Sequence, residues 1–120
     1  MAKYVDGYVI PLPKQNIAAY QRMAQWGRKL WMKCGALQYF ECVGDDLAVQ
    51  PGCGTGFPKG IRLKPGETVV FAFVIFKSKA HRDAVNAKVM RDPSIKKMPK
   101  TMPFDMKRFL YGGFKAIVEG

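Results

Sequence analysis

The sequence has one histidine, three cysteines and no apolar run as long as a membrane-spanning helix, which needs about 20 residues. His81 alone cannot form a multi-histidine metal site, and Cys34, Cys42 and Cys53 lack the CxxC spacing of thiolate sites. Scattered cysteines in odd number, with no secretory signal in the first residues, predict a reduced, cytoplasmic compartment. We therefore expect no metal, no other cofactor and no membrane partner.

Acidic side chains are also scarce, with 9 Asp plus Glu against 20 Lys plus Arg and a formal net charge of +11. Residues 77–115 contain eleven basic and three acidic side chains, a net charge of +8, and the remaining positions contribute +3. A basic patch in this half could attract phosphates, so RNA or another anion is one candidate partner. The alternative is a solvated face, which the wide spacing of the basic residues favours.

Apolar residues are abundant, at 48% of the 120 residues, which predicts a single folded domain over 1–120. Alternating and helical apolar patterns predict six elements in the order βαββαβ. This order is typical of an α+β, ferredoxin-like fold, a four-stranded antiparallel sheet with two helices on one face. The predicted strands are 3–10, 36–43, 67–76 and 109–118, and the predicted helices are 16–33 and 79–91.

Local signals set the predicted ends of these elements. Pro11 and Pro13 are expected to stop the first strand, and Gly35 to end the first helix. Ser78 is expected to cap the second helix, whose predicted apolar stripe is Ala80, Ala84, Ala87 and Met90. Two segments are expected to be long loops, a Gly- and Pro-rich one at 44–66 and a basic, Pro-rich one at 93–108.

Two strands are apolar on both sides, although two helices can cover only one face of the sheet. In strand 67–76 the apolar residues Val69, Phe71, Phe73 and Ile75 face one way, and Val70, Ala72, Val74 and Phe76 the other. An uncovered apolar face is an aggregation liability in a monomer. The pattern therefore predicts a homodimer whose sheets face each other as a dimeric α/β-barrel. The alternative is a monomer covered by its own loop 44–66.

Four polar or amphipathic residues stand out on otherwise apolar strands: Asp6, Tyr8, Glu41 and Tyr111. A carboxylate directed into an interior space would have a perturbed pKa and could hold a small ligand. The alternative is that Asp6 or Glu41 simply pairs with Arg62, Arg108 or Lys115.

Other motifs carry less specific chemistry. His81 is a candidate proton carrier, although a structural hydrogen bond at the start of a helix is the simpler interpretation. The glycines around Cys53 lack the helix and lysine of a phosphate loop, and Cys34 and Cys42 are expected to be buried. The segment 96–107 is basic and contains Phe104, which suggests single-stranded nucleic acid as a partner with one aromatic for stacking.

Three stretches, YVDGYVIPLPKQNIAAY, ETVVFAFVIFKSKAHRDAVNAKVMRDP and KTMPFDMKRFLYGGFKAIV, resemble the DUF1428 family of small bacterial proteins along nearly the whole chain. The resemblance implies a dimeric α/β-barrel and supplies no activity. A glycine usually stands in that pattern where this chain has Met106. The resemblance directs attention to a polar cluster of His81, Arg82, Asp83, Asn86 and Asp105, in which Arg82 could pair with Asp105 or a ligand carboxylate. The alternative, which we favour, is a structural network that fixes the second helix to the 93–108 loop.

The expected function is that of a homodimeric barrel protein that binds a small organic ligand between sheet and helices. The alternatives are an RNA- or anion-binding module that uses residues 77–115, and a purely structural dimer. Enzymatic activity stays open, with His81, Asp6 and Glu41 as candidate catalytic residues. The candidate ligand-binding residues are Arg82, Asp83, Asn86, Asp105, Tyr8 and Tyr111.

Overall fold

Four antiparallel strands form one sheet, and two long helices pack on one of its faces. The computed structural model describes all 120 residues. Its elements are β1 (Tyr4–Pro13), α1 (Ile17–Lys33), β2 (Gln38–Val43), α2 (Phe57–Gly60), β3 (Glu67–Phe76), α3 (Lys79–Arg91) and β4 (Leu110–Lys115), with 3-10 turns at Lys14–Asn16 and Pro93–Lys97. The strand order β2-β3-β1-β4 is that of a ferredoxin-like α+β fold, as predicted.

The first strand continues through both prolines, so the prediction that they would stop it was wrong. Lys14 donates its amide to Gly66 on the β3 side, at 2.8 Å. Alternate residues direct their backbone groups to opposite sides, so Pro11 and Pro13 face the other side. There β4 pairs only with Tyr4 to Val9 and leaves the prolines without a neighbouring strand. A missing N–H therefore breaks no ladder bond at these positions.

The helices begin and end as expected, but one buries a different face. Gly35 follows α1 with φ +117, a backbone conformation that favours glycine. Ser78 caps α3 by accepting the amide of His81 at 3.1 Å. The buried residues of α3 are Val85 and Val89, and the predicted alanine stripe is exposed, as is Met90. The face of α3 that packs on the sheet therefore differs from the predicted one, and it places the half-buried side chains of His81 and Arg82 toward the sheet.

The core lies between the helices and one face of the sheet, in two clusters. One contains Val74 and Phe76 of β3 with Leu30 of α1 and Val89 of α3. The other contains Ile10, Leu12, Tyr20, Ala24, Val70 and Ala72. The helix-side residues of β3 therefore contribute to both clusters of the core.

The opposite, outer face of the sheet is apolar and largely open. Phe71 and Phe114 remain 47% and 62% exposed there, so the loop 44–66 does not cover them. That loop contains α2, which contacts β3 near its start, where Pro11 and Val69 are buried. Cys42 also lies on this face and is exposed, which contradicts the prediction that it is buried. The outer face contains, from β2 to β4, the side chains of Gln38, Phe40, Cys42, Phe71, Phe73, Ile75, Val5, Val9, Leu110 and Phe114.

Candidate functional site

A cavity of about 200 Å³ lies between α1 and the helix side of the sheet. Small residues open it, because Ala24 and Gly27 of α1 face Ala72 at the centre of β3. Most of its lining is apolar, which is typical of sites for small organic molecules. The larger side chains of its wall are Tyr8, Tyr20, Trp26, Trp31, Tyr39 and Glu41.

Glu41 is the one carboxylate in this wall, and two tyrosine hydroxyls donate to it. Tyr20 of α1 donates to one carboxylate oxygen at 2.6 Å, and Tyr39 of β2 donates to the other at 2.8 Å. Tyr39 and Glu41 are two residues apart on one strand, so both side chains face the helices. The Tyr39 hydroxyl fits because Gly27 has no side chain: a Cβ there would lie 2.9 Å from that oxygen.

The cavity shifts the acidity of all three tyrosines beside Glu41. Burial, followed by the negative charge of Glu41, raises the pKa of Tyr20 and of Tyr39 well above the usual 10.0. Burial, with Asp6 and Glu41 as further negative charges, raises the pKa of Tyr8 to about 12. The three phenols therefore keep their protons at neutral pH, and those of Tyr20 and Tyr39 donate hydrogen bonds to Glu41.

The segment 98–109 covers the cavity on the β4 side with methionine and aromatic side chains. Met98, Met102 and Met106 line the cavity together with Phe104 and Phe109. Phe104 packs edge-on against Tyr20, with ring centroids 6.0 Å apart. The segment is attached at two points. Asn16 donates to the carbonyl of Pro103 at 2.8 Å, and Arg108 donates to Glu67 at 2.7 Å.

A second, more polar groove of about 320 Å³ adjoins the cavity at the edge strand β2. It shares Tyr20, Ala24, Tyr39 and Glu41 with the cavity, so the carboxylate stands in the wall between the two. Arg28 lines the outer groove and donates from Nε to Gln25 at 2.9 Å. A ligand that occupied both spaces would contact Glu41.

A second polar cluster joins α3 to β1. Arg82 donates from Nη1 to buried Asp6 at 2.7 Å and from Nε to Asp83 at 2.8 Å. Its guanidinium carbon lies 4.8 Å from the centre of the Tyr4 ring, a cation–π contact. Burial raises the pKa of Asp6, and the positive charge of Arg82 opposes that rise. Asp6 is thus a buried carboxylate whose charge is neutralised by Arg82.

The family-model comparison and the curated relatives decide the classification of this chain. The model "Protein of unknown function (DUF1428)" matches residues 3–106. The "Uncharacterized protein YbaA" of Escherichia coli strain K12 is 41% identical over 117 residues, 98% of each chain, and that of Shigella flexneri matches equally well. The chain belongs to the DUF1428 family.

One solved structure agrees with the fold of this DUF1428 chain. It is a dimeric ferredoxin-like protein from an uncultured marine organism, with a TM-score of 0.56 and 12% identity over 100% of both chains. At that identity the likeness shows the fold alone.

The remaining candidate residues of the DUF1428 chain lie outside the cavity. His81 accepts the amide of Lys77 on Nδ1 at 2.9 Å, so it stabilises the start of α3. Asp105 accepts the amide of Lys107 at 2.9 Å within its own turn and does not pair with Arg82. Tyr111 stacks on Tyr8 with centroids 6.1 Å apart but is exposed. Asn86 accepts the indole N–H of Trp31 at 3.1 Å, which links it to the cavity wall.

Other predictions on individual residues met different outcomes. Asp6 pairs with Arg82 rather than with Arg62, Arg108 or Lys115, and Glu41 forms no ion pair. Phe104 packs inward on Tyr20, so it is not available as a stacking platform for nucleic acid. No group of three or more His, Cys, Asp or Glu side chains is placed to hold a metal ion, and none of the helices is both long and apolar enough to span a membrane.

Sequence reasoning identified Glu41 and Tyr8 but missed Tyr20, Tyr39 and the two tryptophans. These aromatics stand at positions whose periodicity is explained by core packing alone. Two signals could have found the site. Tyr39 and Glu41 alternate on one strand face, and Gly27 interrupts a long helix at a cost of about 1 kcal/mol relative to alanine.

Proposed function

We propose that this chain acts as a homodimer that binds a small organic ligand in the cavity between α1 and the sheet. The observation that carries the proposal is the Glu41 carboxylate, bracketed by two tyrosine hydroxyls inside an otherwise apolar cavity. A hydrophobic space with a few convergent polar groups favours a small molecule over a macromolecule. In this cavity Glu41 is the charged side chain that a polar group of a bound ligand would meet.

The outer face of the sheet supports the homodimer part of the proposal. The side chains named for it above include no charged one, although the chain carries a net charge of +11, and Glu67, on the same side at the start of β3, is paired with Arg108. Two such cations can associate closely only where the contact adds no like charges. Four strands and about six residues of each give a face of roughly 19 by 20 Å. The solved ferredoxin-like neighbour is itself described as dimeric, which agrees with this arrangement.

The alternative of an RNA- or anion-binding module has less support. Arg82 and Arg108 of the basic 77–115 half are engaged with Asp6 and Glu67. The lysines of that half are exposed, and their wide spacing in the sequence favours a solvated face. Retention of a random oligonucleotide at low salt, with steep loss as salt rises, would favour this alternative. We also propose the cytoplasm as the location, because all three cysteines are free thiols.

The proposal is tested by filling the cavity. Ala24 lines both spaces, so Ala24→Leu places a larger side chain beside Glu41. Benzyl alcohol serves as a neutral probe, and quenching of Trp26 and Trp31 reports its binding, since these are the 2 tryptophans of the chain. We expect the wild type to respond and Ala24→Leu to respond at least about tenfold more weakly, the factor that ~1.4 kcal/mol represents.

A matched control is Ala84→Leu, the same change on the exposed face of α3. It should bind the probe as the wild type does. An equal response of the wild type and Ala24→Leu, or none from the wild type, would count against the cavity. Native mass spectrometry of the freshly purified chain tests the other part. We expect a dimer that retains a small molecule, and a well-behaved monomer at micromolar concentration would refute the homodimer.

A further inference from the structure

The charge balance of the cavity singles out Glu41. Four carboxylates of the chain are not exposed: Asp6, Glu41, Glu67 and Asp92. Three of them pair with a basic side chain, Asp6 with Arg82, Glu67 with Arg108 and Asp92 with Lys33. Glu41 has no Lys, Arg or His nitrogen within 4.0 Å, although the chain has 20 Lys plus Arg. Its negative charge is therefore the one interior charge without a cation.

Two hydroxyl donors stabilise the charge of Glu41 without cancelling it. Tyr20 and Tyr39 each satisfy one carboxylate oxygen, but a phenol is neutral and the net charge of the site remains −1. An apolar surrounding strengthens the attraction between that charge and any cation that enters. A bound anion would meet the same charge as a repulsion.

The walls of the cavity suit an organic cation for a second, independent reason. Tyr8, Tyr20, Tyr39, Trp26 and Trp31 all line it. The negative faces of aromatic rings attract ammonium groups, and clusters of such rings are the usual recognition site for alkylated amines. The thioethers of Met98, Met102 and Met106 add soft, adaptable contacts for the apolar remainder of a ligand.

We infer that the cavity binds an organic cation, an amine or quaternary ammonium group carried on an apolar ring or chain, with the positive charge beside Glu41. The inference rests on the proposed function, because it assigns a ligand class to the same cavity. Arg28 at the edge of the outer groove donates to Gln25 and forms no ion pair with Glu41.

Four single-ring probes of similar size separate charge from shape: benzylamine, benzyltrimethylammonium, benzyl alcohol and benzoate. Each is titrated into the full-length protein at neutral pH while the fluorescence of Trp26 and Trp31 is recorded. We expect both cations to bind at least about tenfold more tightly than benzyl alcohol, a factor that corresponds to ~1.4 kcal/mol, and benzoate to bind most weakly.

The Glu41→Gln variant removes the charge and keeps the shape. We expect it to lose most of the preference for cations and to retain only the part that the aromatic rings supply, with the affinity for the alcohol unchanged. Glu119→Gln is the matched control, because it makes the same change at an exposed glutamate and should keep the preference for cations.

Each outcome separates the two proposals. Equal binding of cations and alcohol by the wild type would overturn the cationic ligand and leave the cavity as a binding site. Tightest binding of benzoate would overturn it in the same way. A preference for cations that is undiminished in Glu41→Gln would assign the selectivity to the rings and refute the role of Glu41. No response to any probe would count against both proposals.

Discussion

Asp6 and Glu41 lie on the same face of the sheet, two strands apart, and have opposite surroundings. Asp6 of β1 faces Val74, and Glu41 of β2 faces Ala72, the next helix-side position of β3. Arg82 closes the site of Asp6 with an ion pair at 2.7 Å, whereas only neutral hydroxyls reach Glu41. This face therefore has one carboxylate whose ion pair attaches α3 to the sheet and one, Glu41, that only neutral hydroxyls reach.

The largest expected effect on the free energy of unfolding comes from breaking the Asp6–Arg82 ion pair. Arg82→Met leaves Asp6, which is 6% exposed, without its cation. Removing one partner of a buried ion pair typically costs about 3–5 kcal/mol, and we expect a loss near the lower end because Asp6 can take up a proton. Urea denaturation at neutral pH measures the loss in the free energy of unfolding.

The pH dependence of that loss identifies its cause. Without the positive charge of Arg82, less opposes the effect of burial, and the pKa of Asp6 rises further above its usual 3.8. A raised carboxyl pKa gives stability that is present at low pH and is lost as the pH rises through the folded-state value. The penalty of Arg82→Met should therefore shrink in acid. A penalty that is independent of pH would show that Arg82 acts through packing on Tyr4 instead.

Sequence patterns correctly predicted the bounds of those strands and helices that are determined by their own residues. The β3 and α3 bounds agree with the structure because ETVVFAFVIF and the Ser78 cap are local signals. Two predictions were wrong because the outcome depends on contacts between residues that are far apart in the sequence. The continuation of β1 through Pro11 and Pro13 depends on where β4 ends. The buried face of α3 depends on Arg82, whose partner Asp6 is 76 residues away.

The candidate site was predictable only in part for the same reason. Glu41 stood out because a carboxylate on an apolar strand requires an explanation. Its partner Tyr20 lies on another element, 21 residues away, and has the periodicity of a core residue. Asp6 was noticed by the same rule as Glu41. Sequence alone could not separate the two, because the difference between them is the presence of Arg82.

An intermediate effect on the free energy of unfolding is expected at alkaline pH, where the tyrosines that donate to Glu41 lose their protons less readily than exposed tyrosines do. The pKa of Tyr20 is raised above 10.0 on folding, first by burial and then by Glu41. The stability from this phenol is therefore present below pH 10 and is lost as the pH rises further. One pH unit above 10, a single such phenol has cost about 1.4 kcal/mol. Tyr20→Phe should lose that much less stability than the wild type between pH 7 and 11.

Denaturation at the two pH values and the ultraviolet absorbance of phenolate provide the measurement. Tyr39→Phe is the matched variant, because Tyr39 donates to the other oxygen of the same carboxylate, and it should behave alike. Glu41→Gln should lower the two pKa values only in part, because burial is the larger cause. An alkaline loss that is equal in the wild type and both phenylalanine variants would show that these phenols titrate normally.

The smallest effect on stability is expected at Gly27, the residue that admits the Tyr39 hydroxyl. Alanine is a better helix former than glycine by about 1 kcal/mol. Its Cβ would lie 2.9 Å from the Tyr39 oxygen, so that hydroxyl must move and its bond to Glu41 weakens by a similar amount. The two contributions oppose each other. Gly27→Ala should therefore change the free energy of unfolding by less than about 1 kcal/mol.

A double variant separates the two opposing contributions. In a Tyr39→Phe background the hydroxyl is absent, so Gly27→Ala meets no oxygen and should stabilise the chain by up to about 1 kcal/mol. The difference between the two backgrounds measures the coupling between Gly27 and Tyr39. If Gly27→Ala has the same effect in both, the glycine does not hold the Tyr39–Glu41 contact. The hydrogen bond from Tyr39 to Glu41 would then depend on strand β2, which carries both residues, and not on the small residue of α1 that faces it.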